Sequence, residues 1–117
     1  YRNIEVTIDE QDIFNVTINE SLAVALLTNL LKNAFVHNID EGHIRITVTK
    51  NSITFRNSGV ENPLDKEHIF ERFYQGTKKE GSTGLGLAIA DSICRLQHLS
   101  IRYYFEQKEH CFEISRQ

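Results

Sequence analysis

The sequence predicts an α/β fold of two layers, a sandwich in which helices cover one face of a mixed sheet. Short stretches of alternating apolar and polar residues, typical of strands, flank two stretches with the periodicity of amphipathic helices. Their order is strand, strand, helix, strand, strand, loop, helix, strand, strand, which lacks the regular alternation of a doubly wound parallel sheet. A chain of 117 residues is the usual size of one domain.

Two strands and a long helix are predicted in the first third of the chain. Apolar residues alternate in two runs, which are Ile4, Val6 and Ile8, then Phe14, Val16 and Ile18. The helix is expected from about Glu20 to His37, with Asn19 as its N-cap. Its apolar residues recur every three or four positions along one face: Ala23, Leu26, Leu27, Leu30, Leu31 and Ala34.

The remainder predicts a hairpin, a long loop, a second helix and two final strands. The hairpin has Ile44, Ile46, Val48, Ile53 and Phe55 on one face, with a tight connection at Asn51-Ser52. Residues 57–84 hold the only proline and most of the glycines, so they are expected to be loop with a short helical piece around His68 to Tyr74. The last elements predicted are a helix from about Leu85 to Gln97 and strands at Ile101–Phe105 and His110–Ile114.

Composition argues against several classes of protein. The net charge is −3 and the pI is near 5.9, which does not suit a nucleic-acid binder. Cys94 and Cys111 lack the spacing of a metal site and are predicted to be reduced packing residues. No apolar run reaches the roughly 18 residues that span a bilayer, so direct membrane contact is not expected. Because the chain begins at Tyr1 and has no methionine, we expect it to be part of a longer protein.

A polar stripe interrupts the long helix. Asn29, Asn33 and His37 follow one another at intervals of four residues. Helical geometry places Asn33 about 20° and Asn29 about 60° outside the apolar face, whereas Lys32 points away from that face. The neighbouring backbone can satisfy a half-buried amide. The alternative is an amide oxygen directed at a hard cation or a polar ligand.

A glycine pair marks the point where the loop enters the second helix, in the segment Thr83-Gly84-Leu85-Gly86-Leu87. Glycines let a ligand approach the backbone, and the N–H groups at a helix start attract anions. Such a pair also serves as a simple flexible joint, and the Gly-Lys-Ser/Thr of a Walker P-loop is missing. The preceding loop carries Lys78 and Lys79, which beside a phosphate site would suit a mobile lid.

In this order the segments resemble the nucleotide-binding boxes of sensor histidine kinases. The matching stretches are Asn29-Leu30-Leu31-Lys32-Asn33-Ala34 for the N box, Asn57-Ser58-Gly59 for the G1 box, Phe70-Glu71-Arg72-Phe73-Tyr74 for the F box, and Gly81-Ser82-Thr83-Gly84-Leu85-Gly86-Leu87 for the G2 box. The resemblance covers roughly Asn29 to Ala90. It implies that residues 1–117 form the ATP-binding catalytic domain of such a kinase. The Bergerat-type fold is shared with gyrase-type topoisomerases, heat-shock chaperones and mismatch-repair ATPases.

The resemblance also implies roles for individual residues. Asn33 would coordinate Mg²⁺ through its amide oxygen, Asn29 would lie near the transferring phosphate, and His37 would reach toward the phosphates or ribose. Asn57 would accept a hydrogen bond from the adenine amino group, with Gly59 leaving room for the base. The segment between Glu61 and Thr83 would be the ATP lid. The residues expected around the phosphates are Arg72, Lys78, Lys79, Thr83, Gly84, Leu85 and Gly86.

Three residues depart from the family pattern. Asn57 stands in place of an aspartate, so the bond to adenine would lack charge assistance. Glu61 occupies the place of the second glycine of the G1 box. Val36 stands where a phosphate-facing lysine is often found, so Arg72, Lys78 or Lys79 would have to supply that charge.

The function implied by the resemblance is binding of Mg-ATP and donation of its γ-phosphoryl group to a histidine on a separate dimerisation domain, with a response regulator downstream. The isolated domain is not expected to phosphorylate itself. The whole protein is expected to be a membrane-anchored sensor with this domain in the cytoplasm. Two alternatives stay open: a degenerate module of the same fold that has lost ATP and acts by docking to other proteins, and an ATP-driven clamp of the gyrase type.

Overall fold

The computed structural model describes residues 3–74 and 84–117. Within these ranges the elements are β1 (Glu5–Glu10), α1 (Glu20–Val36), β2 (His43–Val48), β3 (Ser52–Asn57), α2 (Gly86–Leu96), β4 (Leu99–Glu106) and β5 (Glu109–Arg116). The strands form one sheet in the order β1-β2-β3-β5-β4. β1 is parallel to β2, and the other neighbours are antiparallel. α1 packs on α2 and β3, and α2 packs on β4, which confirms the predicted α/β sandwich.

The core lies between the two helices and the sheet. Across β2, β3, β5 and β4, one row of paired residues on the helix-facing side is Ile46, Phe55, Phe112 and Tyr103. Leu26 and Leu30 of α1 and Ile93 of α2 are buried against this row. Burial of an aliphatic side chain of this size contributes about 2 kcal/mol, so this layer fixes α1 and α2 over the sheet.

α1 is held at both of its ends. Oδ1 of Asn19 accepts a hydrogen bond from the N–H of Leu22 at 3.1 Å, which confirms Asn19 as the N-cap. At the other end the buried Nδ2 of Asn38 donates to the carbonyls of Ala34 at 3.1 Å and His43 at 3.0 Å. The end of α1 is therefore tied to the first residue of β2, and α1 runs antiparallel to that strand.

Several further predictions are confirmed. The hairpin is β2 and β3, closed by a hydrogen bond from the N–H of Thr49 to the carbonyl of Ser52 at 2.9 Å. α2 lies within the range expected for it, and β4 and β5 contain the two predicted strands and extend one or two residues beyond them at each end. Cys94 and Cys111 are free and buried, and burial raises the pKa of each thiol to about 11, so neither is a reactive thiolate. No helix in the described ranges is long and apolar enough to cross a bilayer.

The predicted strand at Phe14 to Ile18 is wrong. These residues form an extended strap between β1 and α1, and Phe14, Val16 and Ile18 pack from it against the core. The backbone of the strap bonds to a side chain instead of a strand, since Nη1 of Arg116 donates to the carbonyl of Asn15 at 3.1 Å. A strap with alternate buried residues has the same sequence pattern as a strand.

The predicted short helix around His68 to Tyr74 is also wrong. This segment is a series of turns, with N–H to carbonyl bonds from His68 to Asp65 at 3.1 Å and from Glu71 to His68 at 2.9 Å. Phe73 has a φ of 65°, in the left-handed region that a right-handed helix cannot contain. The local hydrogen bonds therefore stay at a spacing of three residues and never extend into a helix.

Candidate functional site

Two connected cavities lie between α1, the start of α2 and the sheet. Their volumes are about 180 Å³ and about 50 Å³. The residues that line both cavities are Asn33, His37, Ile69, Tyr74 and Leu87. Among the described residues that line either one, none is Asp or Glu. The predicted N, G1 and G2 boxes thus meet around a partly open site that no described carboxylate lines.

The polar stripe of α1 lines the larger cavity with all three of its residues. Nδ2 of Asn29 donates to the carbonyl of Ala25 at 2.8 Å, so its backbone partner uses the amide nitrogen and leaves Oδ1 for other contacts. The half-buried amide of Asn33 has no hydrogen bond to any residue in the described ranges. His37 is the C-cap residue of α1 and lines both cavities. A backbone carbonyl therefore satisfies the amide nitrogen of Asn29 but not its oxygen, and no described backbone group satisfies the amide of Asn33.

The start of α2 forms the opposite wall of the larger cavity, where Gly84, Leu85 and Gly86 lie. The N-cap position of α2 is Leu85, whose side chain cannot accept a hydrogen bond from the first turn. The N–H groups in the first turn of an α-helix have no carbonyl partner within the helix, and helix N-termini carry partial positive charge. Because a Cβ at Gly86 would lie 3.1 Å from Oδ1 of Asn29, the absence of a side chain at this glycine leaves the space between the two walls open. This wall is suited to an anion.

Gly84 lies just before α2 and packs directly against the backbone of Phe73. Its φ is 74°, and its carbonyl accepts a hydrogen bond from the N–H of Phe73 at 2.6 Å. A Cβ at Gly84 would lie 2.7 Å from the Cα of Phe73. Both the backbone conformation and the space therefore require glycine at this position.

Asn57 lines the smaller cavity, whereas Gly59, which was also predicted as a site residue, is buried and lines neither cavity. Asn57 is only 2% exposed, and its Nδ2 donates to the carbonyl of Ser58 at 2.8 Å. Because a carbonyl only accepts, this bond assigns the nitrogen to the Ser58 side, so Oδ1 is the acceptor on the other side of the amide. Oδ1 is the one buried side-chain atom of the described ranges without a hydrogen-bond partner. A Cβ at Gly59 would lie 2.8 Å from the carbonyl oxygen of His37, so glycine is required beside Asn57.

His110 is a site residue that the sequence interpretation did not identify. It lines the smaller cavity and pairs with Asn57 across β3 and β5. The N–H of Leu64 donates to the hydroxyl of Tyr103 at 2.9 Å, the hydroxyl lies 2.8 Å from Nδ1 of His110, and Nε2 of His110 lies 2.6 Å from the carbonyl of Val60. Because that carbonyl can only accept, Nε2 carries the proton and Tyr103 donates to Nδ1.

This hydrogen-bonded chain fastens residues 60–64 over the smaller cavity with neutral groups. Burial lowers the pKa of His110, and burial raises the pKa of the Tyr103 hydroxyl. Strand alternation in the sequence could have indicated that His110 is buried, because His110 shares its face of β5 with the core residues Phe112 and Ile114.

Of the basic side chains considered in the sequence analysis, some line the larger cavity and others do not. Lys32 was expected to point away from the buried side of α1, yet its side chain lines the larger cavity at its open edge. The guanidinium of Arg72 lies 5.4 Å from the centre of the Phe73 ring, and Arg72 lines neither cavity. Lys78, Lys79 and Thr83, with most of the glycine-rich part of the expected lid, lie outside the described residues. Lys32 and His37 are thus the basic residues that the described part of the chain brings to the larger cavity.

A comparison with protein-family models matches residues 18–115 to the family described as histidine kinase-, DNA gyrase B-, and HSP90-like ATPase. The match includes both helices, four of the five strands and every residue that lines the two cavities.

Two curated relatives are sensor proteins of bacteria. The sensor histidine kinase RppB of Synechocystis sp. is 42% identical over 84 residues, which are 64% of this chain and 18% of RppB. The heme sensor protein HssS of Staphylococcus epidermidis is 36% identical over 94 residues, which are 77% of this chain and 21% of HssS. The chain therefore spans about a fifth of the length of these relatives.

Solved structures of histidine kinases have the same fold. The catalytic domain of histidine kinase ThkA in a nucleotide-free form has a TM-score of 0.80 at 25% identity, over 95% of this chain and 76% of that chain. ThkA in complex with the response regulator protein TrrA has a TM-score of 0.75 at 24% identity, over 95% of this chain and 33% of that chain.

Proposed function

Because this chain belongs to the histidine kinase-, DNA gyrase B-, and HSP90-like ATPase family, we propose that it binds Mg-ATP and donates the γ-phosphoryl group to a histidine on a separate dimerisation domain. The observation that carries the proposal is the unpartnered Oδ1 of Asn57, buried at one end of a site whose other end is the α2 N-terminus. A hydrogen-bond acceptor for a base and an anion-attracting helix start are the two requirements of a nucleotide site.

The orientation of Asn57 favours adenine as the base. Ser58 holds the amide nitrogen, so the cavity is offered an acceptor, and the amino group of adenine can donate to it. Guanine carries a carbonyl at the corresponding ring position, and two acceptors would then face each other without a proton. The chain of bonds through His110 supplies no competing donor, because its Nε2–H is used by the carbonyl of Val60.

The phosphates fit the larger cavity. The α2 N-terminus lies on one wall, Lys32 stands at the edge, and no described carboxylate lines the cavity to repel an anion. On the other wall the amide of Asn33 has no hydrogen bond to any described residue, and an amide oxygen is a ligand type that Mg²⁺ accepts. The donor set therefore fits one protein ligand to Mg²⁺, with phosphate and water oxygens for the remaining positions. Bound Mg²⁺ would neutralise charge on the phosphates.

The part of the reaction that these residues perform is positioning. The stripe of α1 and the glycines of α2 hold the phosphate end of the nucleotide at the open side of the site, where an acceptor can reach it. Both ring nitrogens of His110 are engaged by Tyr103 and Val60, so His110 is not offered as a phosphoacceptor. We infer that the accepting histidine lies on another domain, and that the whole protein is a membrane-anchored sensor with this domain in the cytoplasm. The named relatives, and the complex of ThkA with a response regulator, support a downstream response regulator.

The test is incubation with γ-labelled ATP and Mg²⁺, with and without the dimerisation domain of the same protein. We expect acid-labile label on the dimerisation domain and almost none on this chain alone, since proximity supplies up to roughly 7–11 kcal/mol of the barrier in a positioned reaction. Acid-stable label on the isolated chain would contradict a site divided between domains. Measurable ATP binding with no transfer to the dimerisation domain would favour the alternative of a non-catalytic docking module.

A further inference from the structure

Residues 59–64 lie beside the smaller cavity and belong to no helix or strand. Val60 and Leu64 line that cavity, and Leu64 also packs against the core. In the described part of the chain, no backbone N–H or carbonyl of residues 59–64 bonds to another backbone group. The positions of the two apolar side chains are therefore not fixed by secondary structure.

Two side chains of the sheet hold this segment near its two ends. The hydroxyl of Tyr103, on β4, accepts a hydrogen bond from the N–H of Leu64 at 2.9 Å. Nε2 of His110, on β5, donates to the carbonyl of Val60 at 2.6 Å. The hydroxyl of Tyr103 also lies 2.8 Å from Nδ1 of His110, and the two rings stack with their centres 5.9 Å apart. Tyr103 is 6% exposed and His110 4% exposed, so water does not compete for these bonds.

An ion pair also reaches the segment. Nζ of Lys108 lies 3.6 Å from Oε2 of Glu61, but both side chains are largely exposed to solvent. Exposed ion pairs contribute little to stability, because water and salt screen them. The pair formed by Tyr103 and His110, here called the buried pair, is thus the stronger restraint on the segment.

We propose that the buried pair positions Val60 and Leu64 as walls for the base of the nucleotide, which makes Tyr103 and His110 positioning residues of the site. This inference rests on the proposed binding of ATP, with Asn57 at the base end. A wall that is already in place need not be ordered when the ligand binds, and ordering it would cost affinity. The measured affinity falls in proportion to the fraction of molecules in which the segment is held. Loosening the buried pair therefore weakens binding without removing a contact to the phosphates.

The hydroxyl is tested by Tyr103→Phe, which keeps the ring packed on Phe112, with 5.1 Å between ring centres, and removes only the oxygen. Without nucleotide, hydrogen exchange of the Leu64 amide should become at least several-fold faster, because its acceptor is lost. Affinity for a non-hydrolysable ATP analogue should fall about three- to tenfold, the range for one buried hydrogen bond. The same factor is expected with and without Mg²⁺, since Asn33 and the α2 N-terminus are unchanged. The matched control is Tyr104→Phe, which removes a hydroxyl from the opposite face of β4 and should change neither quantity.

His110 is tested by two substitutions of similar size. Glutamine has an amide that can donate to the Val60 carbonyl, whereas leucine has no donor. His110→Gln should therefore retain an affinity for the ATP analogue at least several-fold higher than that of His110→Leu. A role in core packing alone would not give this order, because leucine is the better core residue.

Equal exchange of the Leu64 amide, or equal affinity for the ATP analogue, in the wild type and Tyr103→Phe would overturn the inference. A loss confined to the Mg²⁺-dependent part of the affinity would also overturn it, and so would His110→Leu binding as tightly as His110→Gln. Tyr103→Phe decides the question even where His110→Leu does not fold. If Tyr103→Phe weakens binding as expected but no phosphate reaches the dimerisation domain, the proposed transfer fails and the inference stands.

Discussion

Nδ2 of Asn57 donates to the carbonyl oxygen of Ser58 at 2.8 Å, and this bond leaves the oxygen of the amide, buried beside the smaller cavity, without a hydrogen-bond partner among the described residues. The position is one where the resemblance to sensor histidine kinases leads us to expect aspartate. A carboxylate has no proton to give Ser58, so the amide and its neighbour are matched to each other. The departure from the family pattern would thus retain an acceptor for the adenine that we propose binds here, while removing a buried charge.

The first prediction is that Asn57→Asp destabilises the free domain. The new carboxylate would lie 2.8 Å from the Ser58 carbonyl in a site only 2% exposed, and the free energy of unfolding should fall by roughly 2–3 kcal/mol near neutral pH. The loss should shrink at acid pH, where a protonated carboxyl can donate to Ser58. Urea unfolding measures this, with Asn51→Asp at the exposed hairpin turn as control. Equal stability of the wild type and the Asn57 variant would refute the matched pair.

The second prediction concerns the proposed Mg²⁺ ligand. Asn33→Ala should abolish the part of nucleotide affinity that depends on Mg²⁺, because it removes the amide oxygen without a hydrogen bond in the larger cavity. The cost in stability should be about 1 kcal/mol at most. Calorimetric titration with and without Mg²⁺ distinguishes these effects. The control is Asn15→Ala, an exposed asparagine outside both cavities. Retention of Mg²⁺-dependent affinity by Asn33→Ala would exclude the role.

The third prediction separates ligand binding from folding at the start of α2. Gly86→Ala should leave the free energy of unfolding within about 1 kcal/mol of the wild type, because alanine is the better helix former. Nucleotide affinity should nevertheless fall several-fold, because the new methyl group would lie 3.1 Å from Oδ1 of Asn29 and narrow the cavity. Thermal unfolding and titration of one preparation measure both quantities. Unchanged affinity would show that phosphates do not approach this wall.

The fourth prediction is a pH dependence of stability that arises from Glu109. Burial raises the pKa of this carboxyl, but hydrogen bonds from Nε of Arg45 at 3.0 Å, from Nη2 of Arg45 at 2.7 Å and from Nε2 of His43 at 2.7 Å outweigh it and hold the pKa below its usual range. Because the folded-state pKa is the lower one, the stabilisation is complete above the unfolded value near 4.5 and is lost as the pH falls through the folded value.

This dependence is measured by unfolding at a series of pH values. Glu109→Gln should flatten the curve of unfolding free energy below about pH 5. Glu113→Gln, which removes the partner of the exposed Arg102, is the matched control and should leave the slope in place. A wild-type curve that is already flat between pH 5 and pH 3 would be incompatible with a carboxyl stabilised in this way.

The parts of the fold that the sequence predicted are those in which periodicity and burial agree. In three places a local sequence pattern is typical of only one structure: the apolar face of α1, the capping Asn19 and the hairpin at Asn51-Ser52. The strap at Phe14 to Ile18 carries the alternation of a strand and differs from one in that it pairs with no strand of the described sheet, which a local pattern does not encode. In the short segment from His68 to Tyr74, the backbone of Phe73 is in the left-handed region. A phenylalanine in the sequence does not indicate such a conformation.

The site residues likewise fall into those that a local sequence pattern predicted and those that it did not. The spacing of four residues along α1 brings Asn29, Asn33 and His37 to one cavity. The glycines at the start of α2 lie on the opposite wall of that cavity. The role of His110 depends on β3 and β5 pairing 53 positions apart, as Asn57 and His110 do, and no local pattern reports such a pairing. Lys32 reaches the cavity because a long side chain can extend past the angle at which its Cβ leaves the helix.

Calorimetric titration of this chain with a non-hydrolysable ATP analogue, in the presence and absence of Mg²⁺, tests the central claim most directly. The two cavities with Asn57 at one end and Asn33 beside the α2 N-terminus predict saturable binding at one site, tighter by at least about tenfold with Mg²⁺. The corresponding GTP analogue should bind more weakly, because Ser58 fixes an acceptor toward the base. Absence of binding with Mg²⁺ present, or equal affinity for the two analogues, would contradict the account.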